Sequence, residues 1–222
     1  MDFGLTSASA APQIAHLLPG MVLADSVTLW YLTRAVSVAA YVALTFSVVL
    51  GMLRGVARNT GGHLSWVSDE LHQTLATLFG VLMLLHMITL YFHTFIPFTL
   101  GNFLLVGSQP YRPFAVDLGV LAFYSTVVIL ASTWIRRFIP YRYWRGIHYV
   151  SFATFVLVTL HGWLAGSDAG EPWMRAVYVG ASCMVGFVAL MRYLTRPKPE
   201  QAEEAWEEVE EEAEGIHASF RR

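Results

Sequence analysis

The chain has little charge and almost no cysteine. Only 14% of its 222 residues are charged and 55% are hydrophobic, whereas a typical soluble domain carries about 25% charged residues. With a mean hydropathy of +0.50, we expect an integral membrane protein rather than a soluble enzyme or a nucleic-acid-binding protein. The single cysteine, Cys183, excludes an internal disulfide, a multi-cysteine zinc or iron–sulfur site and a covalently attached c-type haem.

Long uncharged runs predict an all-α membrane protein that forms a five-helix transmembrane bundle. Each run is close to the ~20 residues that a bilayer requires. The predicted spans cover residues 27–53, 70–93, 115–134, 144–164 and 173–193. We divide the chain into an extracytoplasmic segment (1–26), a bundle that contacts membrane lipid (27–194) and an acidic tail (195–222).

The arginines are unevenly distributed between the two ends of the predicted bundle. The connections between the first and second spans and between the third and fourth spans are rich in arginine, and so is the end of the fifth span. Because basic residues favour the cytoplasmic side, we predict an N-terminus outside and a C-terminus in the cytoplasm. The expected location is the bacterial inner (plasma) membrane.

Four histidines fall within the predicted spans, and ionisable groups at this depth are usually functional. His72 and His86 lie on the second span, and His148 and His161 lie on the fourth. These two spans run in the same direction. His72 is therefore expected at the depth of His148, near the cytoplasm, and His86 at the depth of His161, near the outside.

Two levels of paired imidazoles match the needs of a flat iron porphyrin, which takes axial ligands on opposite faces. The levels are 13 or 14 residues apart, or roughly 20 Å along a helix. The pattern therefore predicts two non-covalent b-type haems, with His72 and His148 on one iron and His86 and His161 on the other. A small metal such as zinc fits less well, because each level offers two ligands.

The spacing on the fourth span is irregular. Thirteen residues at 100° each place His148 and His161 about 140° apart on a straight helix. We therefore expect either a tighter, 3₁₀-like stretch in this helix or ligands that approach from different sides. Buried histidines that only hydrogen-bond within the core are the alternative interpretation.

These motifs resemble the ferric-reductase-like transmembrane domain of ferric reductases, NADPH oxidases and the haem-bearing subunit of the bacterial methionine sulfoxide reductase system. The resemblance covers about residues 30–165. In that family the paired histidines ligate two stacked b haems, so the resemblance implies transmembrane electron transfer. It is carried by four segments: Tyr31-Leu-Thr-Arg34, Leu71-His72…Leu85-His86, Pro110-Tyr-Arg-Pro113 and Tyr143-Trp-Arg-Gly-Ile-His148…Leu160-His161.

Four further residues are candidates for cofactor contacts, each with a simpler alternative. Arg34 is predicted to bind an outer haem propionate, or else to reach the outer headgroups. Arg145 is predicted to hold an inner propionate, or else to be an ordinary cytoplasmic arginine. Phe79 and Phe155 lie midway between the histidines on their helices, where each ring either bridges the two haems or simply packs in the core.

The chain has no Gly-x-Gly-x-x-Gly motif, so we expect it to bind neither flavin nor nicotinamide. Its electrons would come from a flavoprotein partner or from a membrane quinol. Residues 197–222 carry a net charge of −6 and a heptad-like apolar stripe, which predicts either a docking helix for that partner or a solvated tail. The alternative function is a structural or pigment-binding accessory subunit of a membrane complex, without redox turnover of its own.

Overall fold

A computed structural model describes residues 26–62, 66–93 and 96–196, and the statements below concern those ranges. Most of the predicted N-terminal segment lies outside the described residues. The acidic tail also lies outside them, together with the docking helix predicted there, except for residues 195 and 196.

The described chain contains five helices that are long and apolar enough to cross a membrane, which confirms the predicted number of spans. A sixth, short helix lies in the longest connection, and a 3₁₀ turn at Arg136–Phe138 precedes the fourth long helix. In chain order the helices are α1 (Ser26–Asn59), α2 (Trp66–Phe92), α3 (Leu100–Leu104), α4 (Pro113–Trp134), α5 (Tyr141–Ala165) and α6 (Pro172–Leu194).

The main difference from the predicted bounds is at the end of α1, which continues six residues beyond position 53. The sequence reaches Thr60 without a proline, and Gly61 then leaves the helix with a positive φ of 69°. An ion pair of 2.6 Å joins Arg54 to Asp69 at the start of α2. The extra turns of α1 are therefore held against the next helix.

Helix α1 forms the centre of the bundle. It packs extensively on α2 and also contacts α5 and α6, whereas α4 packs on α5. In its most apolar 18-residue window 56% of the residues are buried, against 22% or less in the other four long helices. The other four therefore present most of their apolar side chains outwards, as expected of helices that face lipid.

The connection between α2 and α4 folds back over the end of the bundle that carries the start of α4. Asn102 caps the short helix α3 by accepting the backbone N–H of Thr99 at 2.7 Å. Gly107, whose φ is +83°, donates its N–H to the Asp117 carboxylate at 2.9 Å. The Tyr124 hydroxyl donates to the Leu104 carbonyl at 2.6 Å, so α4 holds this connection at two points.

Helix α5, which carries His148 and His161, is a continuous α-helix from Tyr141 to Ala165. It contains no 3₁₀ stretch. Of the two geometries expected from the sequence, the structure adopts the one in which the two imidazoles leave α5 on different sides.

Candidate functional site

The structure brings His72 of α2 and His148 of α5 into contact. Their ring centroids are 6.0 Å apart and the ring planes are inclined at 69°. Metal–imidazole bonds are about 2 Å long and a ring centroid lies about 1 Å behind the bonded nitrogen, so two imidazoles on one ion have centroids about 6 Å apart. The same separation suits an edge-to-face contact between two rings. The distance alone thus does not distinguish metal ligation from packing, and the hydrogen bonds at Nδ1 are the next observation to consider.

One histidine of each predicted pair is fixed by a backbone carbonyl of the neighbouring helix. His72 Nδ1 donates to the carbonyl of Ser47 on α1 at 2.8 Å. His161 Nδ1 donates to the carbonyl of Ala115 on α4, also at 2.8 Å. A hydrogen bond of this kind places the proton on Nδ1 and leaves the Nε2 lone pair available to a metal.

In both places a glycine lies four residues after the carbonyl that accepts the bond. A methyl group on Gly51 would lie 3.1 Å from His72 Cε1, and one on Gly119 would lie 2.8 Å from both Cε1 and Nδ1 of His161. The missing side chain therefore opens a notch in which each imidazole rests against the neighbouring helix. We call these two arrangements the glycine notches.

The other member of each pair has a buried Nδ1 that makes no hydrogen bond of ordinary geometry among the described residues. These two residues are His148 and His86, and the His86 ring lies near the backbone of Thr33. Trp144 stacks on the His148 ring, with centroids 5.0 Å apart and planes at 25°, and so fixes its orientation. Buried polar atoms are nearly always paired, so these two nitrogens make His86 and His148 candidates for binding a ligand.

His86 and His161 line one cavity of about 340 Å³. This volume lies within the range of roughly 300–1,000 Å³ that is typical of small-molecule and cofactor sites. The cavity extends from the middle of the bundle, at Phe79 and Tyr41, to the connection that contains α3. The second pair of histidines thus shares a cofactor-sized space, whereas the first pair is in direct ring contact.

Arg34 lies on the wall of this cavity and is paired with Asp168 of the α5–α6 connection. Two bonds join the groups, Nη2 to Oδ1 at 2.5 Å and Nε to Oδ2 at 2.8 Å. The guanidinium also lies over the Trp30 ring, 4.3 Å from its centroid. Arg34 therefore faces the cavity with an internal carboxylate already bound to it, rather than reaching only for headgroups.

Arg145 does not point along α5 to the histidine three residues later. Its guanidinium donates to the hydroxyl of Tyr149, from Nε at 3.1 Å and from Nη2 at 3.0 Å. The side chain is exposed, and the structure places it at the end of the bundle that carries His72 and His148.

Phe79 and Phe155 are both buried in the central hydrophobic core. Phe155 stacks on Tyr41 of α1, with centroids 6.0 Å apart and planes at 18°. Tyr41 in turn meets Tyr178 of α6 edge-on at 5.2 Å. The sequence predicted a mid-bundle position for both phenylalanines, but not the tyrosines that connect this region to α6.

His93, the residue directly after α2, is buried, with 7% of its surface accessible. Burial lowers the pKa of its imidazole below the ordinary value of 6.5, so the ring is neutral at pH 7. His93 belongs to neither histidine pair.

Among the described residues, no three His, Cys, Asp or Glu side chains come together as a metal site. A metal ion at either pair would therefore have two imidazoles as its side-chain ligands from the described residues. This arrangement differs from the three or four protein ligands of ordinary zinc sites.

Some residues of the cavity were not predicted from the sequence. Asp168 is one of two acidic residues in the α5–α6 connection, and its pairing with an arginine 134 positions earlier has no local signal. Tyr178 touches Gly162 so closely that a methyl group there would lie 2.5 Å from the hydroxyl oxygen. Gly162, directly after His161, is the sequence feature that could have indicated such a contact.

The described fold is that of an integral membrane protein whose helices hold two pairs of partly buried histidines. No family model matches the chain, and neither a curated protein nor a solved structure matches it.

Proposed function

We propose that this chain is the membrane cytochrome subunit of a larger redox system and carries electrons across the bilayer through two b-type haems. His72 and His148 would hold one haem and His86 and His161 the other. The observation that carries the proposal is the repeated donor set: each pair combines an imidazole fixed at Nδ1 with one whose Nδ1 is buried and unpaired among the described residues.

The donor types present suit the group at both levels. The 6.0 Å between the His72 and His148 centroids is close to the separation of two imidazoles on one metal ion. At the other level, the 340 Å³ cavity offers an apolar wall and two imidazoles. When bound, a haem supplies one-electron oxidation and reduction at its iron.

The protein itself orients the imidazoles, excludes water from the core and supplies positive charge. The glycine notches fix two of the four ligand rings, and Trp144 fixes a third by stacking. Phe79 and Phe155 fill the core between the two levels. They exclude water there, and their rings would lie between the two cofactors. Arg34 would share its guanidinium between Asp168 and a propionate at the cavity. The propionate contact of Arg145 stays a prediction from the sequence, because its guanidinium donates to Tyr149 in the structure.

The distribution of arginine supports an orientation with the His72 and His148 level at the cytoplasmic side. That end of the bundle carries eight of the eleven arginines before residue 197, and the other end carries Arg34, Arg112 and Arg175. The rule that cytoplasmic loops are basic then puts the N-terminus outside, in a bacterial inner membrane. Electrons would enter from a flavoprotein or a quinol and leave at the His86 and His161 level.

The resemblance to ferric-reductase-like membrane domains supports the same function. It rests on the quoted histidine, arginine and tryptophan motifs of the sequence.

The test is the spectrum and haem content of the purified chain. We expect a b-type signal in the reduced-minus-oxidised difference spectrum and two haems per polypeptide. His72→Ala and His86→Ala should each remove one haem. His93→Ala is the matched control, because this buried histidine follows α2 directly and belongs to neither pair, and it should retain both haems.

Other outcomes separate the alternatives. A folded chain without haem would overturn the redox proposal and favour the structural accessory subunit, or the pigment-binding one if a magnesium tetrapyrrole co-purifies. One haem that survives His72→Ala would restrict the cofactor to the cavity level.

A further inference from the structure

Two arginines converge on one tyrosine at the end of the bundle that carries His72 and His148. Arg145 of α5 donates to the Tyr149 hydroxyl oxygen at 3.0 and 3.1 Å, and Arg192 of α6 donates to the same oxygen at 3.3 Å. Both guanidiniums are therefore within hydrogen-bonding distance of a single neutral atom.

The second guanidinium has a defined seat on the central helix. A methyl group on Gly55 of α1 would lie 2.9 Å from Arg192 Cζ and 3.1 Å from its Nε and Nη1. The Arg192 side chain thus lies flat on the backbone of α1 while it reaches Tyr149. Three helices together hold the two cations in place.

No described carboxylate balances this charge. The ion pairs among the described residues are Arg34–Asp168 and Arg54–Asp69, and neither involves Arg145 or Arg192. Arg196 also lies near enough to Tyr149 to interact with it electrostatically. Like charges held together in this way repel each other, and an anion placed between them would reverse the sign of the interaction.

We propose that Arg145, Tyr149 and Arg192 form a binding site for a phosphate-bearing anion. The planar fork of arginine pairs with two phosphate oxygens at once, and the Tyr149 hydroxyl, whose oxygen accepts from both arginines, still has its own proton to donate. The ligand is the headgroup of an anionic phospholipid in the leaflet at that end of the bundle, or a phosphate group from solution. Anionic headgroups attract basic residues at this depth.

Arg142 provides a matched comparison on the same helix. Its Nη2 lies 3.0 Å from the hydroxyl of Tyr143, and no second guanidinium from the described part of the chain is bonded to that hydroxyl. Arg142→Gln therefore removes the same charge from the same end of the bundle without touching the site.

The experiment uses the full chain, purified in detergent and stripped of lipid. Native mass spectrometry follows the binding of phosphatidylglycerol, with phosphatidylcholine as the uncharged comparison, and a melting curve follows stabilisation by inorganic phosphate. We expect one tightly bound phosphatidylglycerol, and about tenfold weaker binding in Arg192→Gln, the usual effect of losing a hydrogen bond to a charged group. Arg142→Gln should bind as the unmodified chain does.

Gly55→Ala keeps every charge and displaces only the Arg192 guanidinium, so it also answers the question if Arg192→Gln fails to fold. It should weaken binding in the same direction. Stabilisation by inorganic phosphate as well as by phosphatidylglycerol would mean a site open to solution, and a response to the lipid alone would mean a headgroup site. Equal binding of the two lipids, an equal loss in Arg142→Gln, or unchanged binding in Gly55→Ala would overturn the proposal.

Discussion

The two glycine notches are the most specific feature at the scale of single residues. Ser47 with Gly51 on α1, and Ala115 with Gly119 on α4, each place a carbonyl that accepts an imidazole N–H one turn before a missing side chain. Each carbonyl is reached only because the glycine lets the imidazole approach. The position of a candidate ligand on one helix is thus determined by a glycine on another.

Gly119→Ala should disturb His161 directly. The added methyl group would lie 2.8 Å from the ring, so the imidazole must move away from the Ala115 carbonyl. Overpacking of this kind costs about 1–3 kcal/mol. We expect a lower melting temperature and, under the proposed function, a changed or lost haem signal at the cavity level.

Gly146→Ala is the control for that variant, because a methyl group there meets no atom within 4 Å and Gly146 lies on the same helix as His161. The explanation by the glycine notch would be wrong if both variants melted at the same temperature and gave the same spectrum.

At the scale of helices, much of the architecture was predictable. The five spans follow from uncharged runs because a bilayer leaves few other ways to satisfy a backbone in lipid. Because α2 and α5 are the second and fourth spans, they must cross the membrane in the same direction, and the contact between His72 and His148 agrees with this. Which neighbouring helix His161 of α5 meets was not predictable, because it depends on the notch at Gly119 of α4.

The connections were less predictable than the helices. The helix α3 and the bond from Gly107 to Asp117 depend on contacts between residues ten positions apart, which no periodic pattern encodes. The ion pair of Asp168 with Arg34 was likewise not predictable, because the two residues come close only after α1, α5 and α6 have packed.

Asp168→Asn tests how much the Arg34–Asp168 ion pair stabilises the packing of α1 against the α5–α6 connection. It removes the charge that holds Arg34 of α1 to the α5–α6 connection, and both side chains are less than a third exposed. We expect a loss of about 1–2 kcal/mol, because breaking one side leaves a poorly solvated cation. Thermal unfolding in detergent measures it.

Glu171→Gln is the appropriate comparison, since Glu171 is an exposed acid in the same connection. A melting temperature lowered equally in both variants would show that overall charge, and not the pair with Arg34, is responsible.

At the scale of the whole molecule, the proposed orientation can be tested by labelling. In a Cys183→Ser background, Thr60→Cys reports the α1–α2 connection and Gly170→Cys the α5–α6 connection, and both positions are exposed. A membrane-impermeant maleimide applied to intact cells should label position 170 alone. Position 60 should react only after the membrane is permeabilised, and the reverse pattern would mean the opposite topology.

The central place of α1 has a consequence for the order of assembly. A ribosome delivers α1 before the helices that will surround it, so its polar side chains first meet lipid. Two of its buried threonines need no partner from another helix, since Thr33 donates to the Leu29 carbonyl and Thr45 to the Tyr41 carbonyl, each at 2.8 Å. Helix α1, which occupies the centre of the folded bundle, can therefore remain in the bilayer with these hydroxyls already hydrogen-bonded until α5 and α6 are made.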